Sequence, residues 1–146
     1  MQLPDTIKGI ETPKELVAAK ELRIRVFVEE QGVPAEEEID DLDSTAFHAI
    51  AIVNGSVIGT GRLLVDSPQE ARIGRMAVSL EHRRGGIGGL VLQFLEGEAK
   101  SQGIGRITLN AQRYVTSFYA NHGYKEVGEP FTEAGIPHIQ MIKNLS

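Results

Sequence analysis

Leu16, Ala19, Leu22 and Val26 recur at the spacing of one helix face, and Thr12, Pro13 and Glu15 stand just before them. Threonine can cap, proline suits the first helical position and glutamate three residues later completes a capping box. The pattern predicts a helix from Thr12 to about Val28. The period then changes. Ala46–Val53 and Ser56–Val65 read as strands joined by Asn54-Gly55, the dipeptide of a tight hairpin turn. Asp66–Glu70, with Pro68, makes the next connection, and Ala71–Val78 is a third antiparallel strand; Thr6–Ile10 is a short strand ahead of the first helix. Ile87, Leu90, Val91, Phe94 and Leu95 form one face of a second helix, ended by Lys100 and Gly103. Arg106–Ala111 follows as a strand. Its link to Ala71–Val78 through a helix is a βαβ crossover, which makes those two strands parallel. Val115–Asn121 is a short helix stopped by Gly123, and Tyr124–Val127 and His138–Lys143 are two last strands, with Gly135-Ile136-Pro137 in the loop between.

This succession leaves no repeat, low-complexity tract or second domain, so residues 1–146 read as one α/β domain. The chain has no cysteine, which excludes disulfides, a thiolate metal site and a cysteinyl-acyl intermediate. A net charge of -5 disfavours a nucleic-acid partner and suits a cationic or neutral substrate. No stretch resembles a signal peptide or an apolar run long enough to span a membrane, so the expected setting is cytoplasmic, without a membrane partner.

Charge is unevenly spread. Glu29, Glu30, Glu36, Glu37, Glu38, Asp40, Asp41 and Asp43 follow one another with no Lys or Arg among them, and Gly32 and Pro34 break the stretch. It reads as a loop with a short helical turn around Glu36. Most of it is expected to be solvated, with one or two carboxylates turned to a substrate.

The chemistry gathers where a strand meets the second helix, at Arg83-Arg84-Gly85-Gly86-Ile87-Gly88-Gly89. Bare backbone at a helix start offers unpaired N–H groups and the positive end of the helix dipole, which suits phosphate. The two arginines add charge with bidentate geometry. The dinucleotide fingerprint fails, because Val91 stands where its third glycine belongs, and no Gly-Lys-Ser/Thr follows to make a nucleotide P-loop.

Strand, Arg83-x-x-Gly86-x-Gly88 and helix together resemble the pyrophosphate-binding motif of the GNAT superfamily of N-acetyltransferases. A second signature, Phe118-Tyr119-Ala120-Asn121-His122-Gly123-Tyr124, lies about thirty residues on. The order of elements is similar to the whole GNAT fold: a mixed, mostly antiparallel sheet of six to seven strands flanked by helices, with the βαβ crossover around the loop. Val26-Phe27-Val28-Glu29-Glu30-Gln31, the acidic stretch before His48, and Gly135-Ile136-Pro137-His138 resemble an ElaA-like bacterial branch.

The resemblance implies acetyl-coenzyme A as co-substrate, no metal, and acetyl transfer to a primary amine of a small molecule by direct attack in a ternary complex. A homodimer is compatible with it. Met76, Ala77 and Val78 would pair with the pantetheine amides and aim an N–H at the thioester oxygen. Arg83, Arg84, Gly85, Gly86, Ile87, Gly88 and Gly89 would hold the pyrophosphate. Tyr119 matches the position that protonates the departing thiolate, and Gln112 stands where many members have a cofactor-touching Asn. An alkylamine must lose a proton before attack. The candidates for that base are His48, Glu30 and His138, in that order, and Glu30 and His138 are also candidate acceptor-pocket residues. Each has a structural alternative: a satisfied strand histidine for His48 and His138, a surface carboxylate for Glu30. The rival to an enzyme is a non-catalytic acyl-coenzyme A sensor on the same fold.

Overall fold

In the computed structural model, which describes residues 3–145, Thr12 accepts from the Glu15 N–H at 3.2 Å and Pro13 opens helix α1 (Pro13–Arg23). Glu15 reaches back to the Glu11 N–H at 2.6 Å, one residue before the cap. The helix does not stop at Arg23. It runs on as a π-helical segment, Ile24–Glu30, two residues past the expected end. Ala35–Glu38 makes one helical turn, α2, and Asp41–Ser44 a 3₁₀ turn with Asp40 as its cap.

The strands are β1 (Thr6–Gly9), β2 (Phe47–Val53), β3 (Ser56–Val65), β4 (Glu70–Val78), β5 (Arg106–Gln112), β6 (Lys125–Glu133) and β7 (Ile136–Asn144). They form one sheet in the order β1-β2-β3-β4-β5-β7-β6. Only β4 and β5 are parallel, as the crossover through helix α3 (Ile87–Ser101) requires. A short helix, α4 (Thr116–Ala120), follows β5. Asn54-Gly55 turns the β2–β3 hairpin with both residues at positive φ. The same geometry recurs at Ala134-Gly135, so most of the loop expected between Val127 and His138 is paired strand instead, with β6 continuing to Glu133 and β7 starting at Ile136.

Alternation in the strands sorts the side chains to two faces. Ala49, Ala51, Ala71, Ile73, Ile107, Leu109, Ile139 and Met141 pack with Ile87, Val91, Leu92, Leu95 and Ala99 of α3 in the main core. On the other side of the sheet, Leu22 and Val26 meet Ala77 and the half-buried Val57. Odd-numbered residues of β4 therefore change sides between Ile73 and Ala77. A β-bulge does this: the β3–β4 register slips between Thr60 and Arg62, putting Arg75 and Met76 opposite Gly61. Arg75 takes φ 52°, the left-handed region that a side chain rarely adopts.

The second irregularity makes the cleft. β4 and β5 pair only at Glu70–Arg106, Ala71–Ile107 and Arg72–Thr108, although β4 continues to Val78 and β5 to Gln112. Beyond that point the parallel strands part. Both inner edges are left with backbone groups that the sheet does not satisfy.

Candidate active site

The parted strands enclose a cleft of about 1080 Å³. Met76, Ala77 and Val78 line one wall, Leu109, Asn110 and Gln112 the other, and Arg84, Gly86, Ile87, Gly88 and Gly89 close one end. Gly85 lies in the same turn without lining the cleft. An extended ligand entering there meets a free strand edge, the setting in which backbone amides add a chain to a sheet.

The glycine loop ends in Gly86 at φ 84°, and Arg84 before it is also left-handed, at φ 67°. No side chain caps α3, so the N–H groups of its first turn lack any partner within the helix. The glycines have separate reasons. A Cβ on Gly89 would meet His122 Nε2 at 2.8 Å, and one on Gly88 would touch Phe118 at 3.4 Å. Backbone thus approaches α4 closely while its amides stay open at the end of the cleft.

Arg83 differs from its neighbour. Its Nε donates to Val78 O at 2.9 Å and its Nη2 reaches Glu30 Oε1 at 2.6 Å. The pair fastens the end of the first helix to the loop. Glu30, expected in the acceptor pocket, is engaged with a guanidinium at the rim. Arg84 stays exposed with no hydrogen-bond partner among the described residues.

Gln112 lines the cleft and donates to Gln31 Oε1 at 2.9 Å, while Gln31 donates to the Tyr114 hydroxyl at 3.2 Å. This chain crosses from the end of the first helix to the end of β5. Tyr119 packs edge-on against Phe118 at 5.0 Å and Tyr124 at 5.9 Å. Burial pushes its hydroxyl up to about 12, so it stays protonated and able to donate throughout the neutral range. Tyr124 is spoken for, donating to Glu96 at 2.8 Å.

The acidic segment departs most from expectation. Glu38 and Asp43 are buried, and they meet arginines from three other elements. Arg23 Nε bonds Glu38 Oε2 at 2.6 Å and its Nη1 bonds Asp43 Oδ1 at 2.8 Å. Arg62 of β3 holds Asp40 with both terminal nitrogens, at 2.7 and 2.9 Å, and also Asp43 at 2.9 Å. Arg75, from the bulge, reaches Glu38 Oε1 at 3.2 Å and Asp40 Oδ2 at 3.1 Å. Three guanidiniums balance three carboxylates.

Titration follows the geometry. Burial raises the Glu38 carboxyl despite Arg23 and Arg75, whereas hydrogen bonds from Arg62 bring Asp40 down to about 2. Burial works on Asp43 too, but Arg23 and Arg62 outweigh it and hold that carboxyl low.

His48 belongs to this network. It is 2% exposed, does not line the cleft, and its Nε2–H donates to Asp43 O at 2.9 Å. Burial lowers its pKa, so the ring is neutral at neutral pH. The structure gives it the place of a satisfied strand histidine. His138 is also buried, at 5% exposed, yet it lines the cleft, with Nδ1 bonded to Ile136 O at 2.7 Å. The structure thus brings His138, Gln112, Tyr119 and the glycine loop to one cleft, ties Glu30 at its edge, and leaves His48 behind the wall. Arg75, Asn110 and Glu133 line the cleft with no motif to mark them, and Glu38 of the acidic stretch lines it while paired with Arg23 and Arg75. Arg23 was a legible signal: it sits one helical turn from Ala19 on the buried stripe, close in sequence to a block of unpaired carboxylates.

These features have close relatives. Residues 10–145 match the family model described as the acetyltransferase (GNAT) domain. The uncharacterized N-acetyltransferase YjcF of Bacillus subtilis is 39% identical over 132 residues, 90% of this chain and 94% of that protein. Among solved structures, an acyl-CoA N-acyltransferase from Pseudomonas aeruginosa is 32% identical with a TM-score of 0.83, covering 97% of this chain and 99% of the other. Escherichia coli ElaA is 28% identical with a TM-score of 0.84, covering 94% and 98%. The chain belongs to the GNAT acetyltransferase family, and its class is N-acetyltransferase. No helix among the described residues is long and apolar enough to cross a membrane. No group of three or more potential metal ligands occurs among them.

Proposed function

We propose that this protein transfers the acetyl group of acetyl-coenzyme A to the primary amine of a small molecule, by direct attack within a ternary complex. The observation that carries the proposal is the coincidence of two unsatisfied backbone surfaces in one cleft: the parted β4 edge and the uncapped start of α3. The first suits the amide-bearing pantetheine arm, the second the pyrophosphate.

In this reading the Gly86–Gly89 amides and exposed Arg84 bind the phosphates, and Arg83 braces the loop through Glu30. Gln112 borders the pantetheine. A backbone N–H of Met76–Val78 donates to the thioester oxygen as negative charge develops there, a contribution typically worth a few kcal/mol. The amine attacks the carbonyl carbon, the C–N bond forms, and the C–S bond breaks. Tyr119 donates its hydroxyl proton to the departing sulfur. With no cysteine in the chain, the usual thioester-exchange nucleophile is missing, and an acyl-enzyme is not part of the path. His48 and Glu30 have no part in proton removal, being bonded to Asp43 O and Arg83.

A panel of primary amines incubated with acetyl-coenzyme A tests this. Amine-dependent thiol release, with a product heavier by one acetyl group, is expected. Tight acetyl-coenzyme A binding with no turnover on any amine would instead mark a sensor.

A further inference from the structure

One wall of the cleft carries a pair of side chains, Glu133 and His138, that the steps above leave without a role. His138 lies on β7, between Gln112 of β5 and Phe131 of β6. Its Nδ1–H donates to Ile136 O at 2.7 Å, which leaves the lone pair on Nε2. Phe131 stacks on the ring at 5.8 Å between centroids and 25° between planes, fixing its orientation. Nε2 has no hydrogen-bond partner among the described residues and lies 3.8 Å from Glu133 Oε2. The side chain of Glu133 is half exposed and also lines the cleft; its other oxygen accepts a long contact from Asn110 Nδ2 at 3.4 Å.

Most other charges around the cleft are committed, and the exposed Arg84 stands at the glycine-loop end. Glu38 and Asp40 are held by Arg23, Arg62 and Arg75, Arg72 is bidentate to Asp66, and Arg83 pairs with Glu30. Glu37 sits exposed on the rim. Among the described residues, Glu133 is the lining carboxylate that stands beside an open imidazole nitrogen.

We infer that Glu133 and His138 together receive the acceptor's ammonium group, Glu133 as its counter-ion and His138 as the group that takes its proton. This rests on the acetyl-transfer reading and assigns two residues of the same site to the acceptor. An ammonium offers three N–H donors. A nitrogen ~2.8 Å from both Nε2 and Oε2 closes a triangle on the observed 3.8 Å separation. Carboxylate and imidazole then divide the work. Glu133 holds the cation, and His138 Nε2 takes one proton, leaving a lone pair for attack on the thioester carbon. The imidazolium passes that proton to solvent. After the C–N bond forms, a second nitrogen proton replaces the one that Tyr119 gives to sulfur as the C–S bond breaks. Free thiol and amide result, with one proton released for each ammonium consumed.

The experiment compares ethylamine with 2,2,2-trifluoroethylamine, which is a free base at neutral pH, in wild type, Glu133→Gln and His138→Gln. Loss of a charged hydrogen bond should raise KM for ethylamine about ten-fold or more in Glu133→Gln. KM for the fluorinated amine should stay within about two-fold. His138→Gln should lower kcat on ethylamine roughly 10²-fold or more, and far less on the amine that needs no deprotonation. Coenzyme A affinity by calorimetry should be unchanged in both. Equal losses on the two amines, or none, would overturn the inference and leave acetyl transfer standing. A wild type that turns over neither these two nor any other amine of the panel overturns the transfer reading itself. Should His138→Gln fail to fold, the half-exposed Glu133 decides through the same amine contrast.

Discussion

Asp40→Asn tests whether the arginine–carboxylate network organises the cleft wall. Asp40 accepts from Arg62 at 2.7 and 2.9 Å and from Arg75 at 3.1 Å, and its carboxyl falls from 3.8 to about 2 in the folded protein. A depressed carboxyl contributes stability that is complete above its unfolded value and is lost as pH falls through its folded value. Each unit between the two corresponds to about 1.4 kcal/mol, so the contribution at pH 7 is about 2 kcal/mol. The asparagine keeps the shape and the cap but not the charge. Arg62, 4% exposed, would then rest on Asp43 alone. Urea unfolding at pH 7 should show Asp40→Asn less stable by about 2 kcal/mol, with the midpoint lowered and the slope unchanged. The gap between the two proteins should shrink by about half at pH 3. Glu38, whose carboxyl is raised, bends the pH profile of each protein the other way, which is why the difference between the two is the quantity to read. A gap that stays constant from pH 7 to pH 3, or no gap at pH 7, would refute the assignment of this energy to the ion pair.

Three further outcomes follow from single contacts. Tyr119→Phe keeps the ring packing against Phe118 and Tyr124, so kcat should fall ~10²–10⁴-fold while KM for acetyl-coenzyme A stays nearly constant; an unchanged kcat would remove the tyrosine from the reaction. Gly86→Asp, at φ 84° on the uncapped helix start, should abolish coenzyme A binding by calorimetry, and undiminished affinity in a folded variant would sink the phosphate assignment. Gly61→Ala should cost about 1–3 kcal/mol in a denaturation assay, because its Cβ would lie 2.6 Å from Met76 Sδ and 2.8 Å from Leu95; a neutral result would mean the bulge and α3 yield easily.

Much of the architecture was legible because it rests on local rules. Asn54-Gly55, the Thr12 cap, the glycine loop and the apolar faces of α1 and α3 each announce themselves within a few residues. Two features depend on long-range pairing and left weaker traces. The bulge at Arg75 puts an arginine where glycine is usual, directly after Gly74, and only the β3 register reveals it. The acidic segment read as a solvated loop because its cations come from α1, β3 and β4. Arg62 and Arg75 lie well along the chain from Glu38 and Asp43, and nothing local joins them. His48 and His138 looked alike as strand histidines. Burial behind the network separates one from the cleft, and the Ala134-Gly135 turn brings Glu133 beside the other.

The most direct measurement of the central claim is a matrix of initial rates in which acetyl-coenzyme A and an alkylamine are both varied and thiol release is followed. Direct attack in a ternary complex predicts double-reciprocal lines that intersect, no thiol release without amine, and no acetyl adduct on the intact protein by mass spectrometry. Parallel lines with an acetylated protein would contradict it.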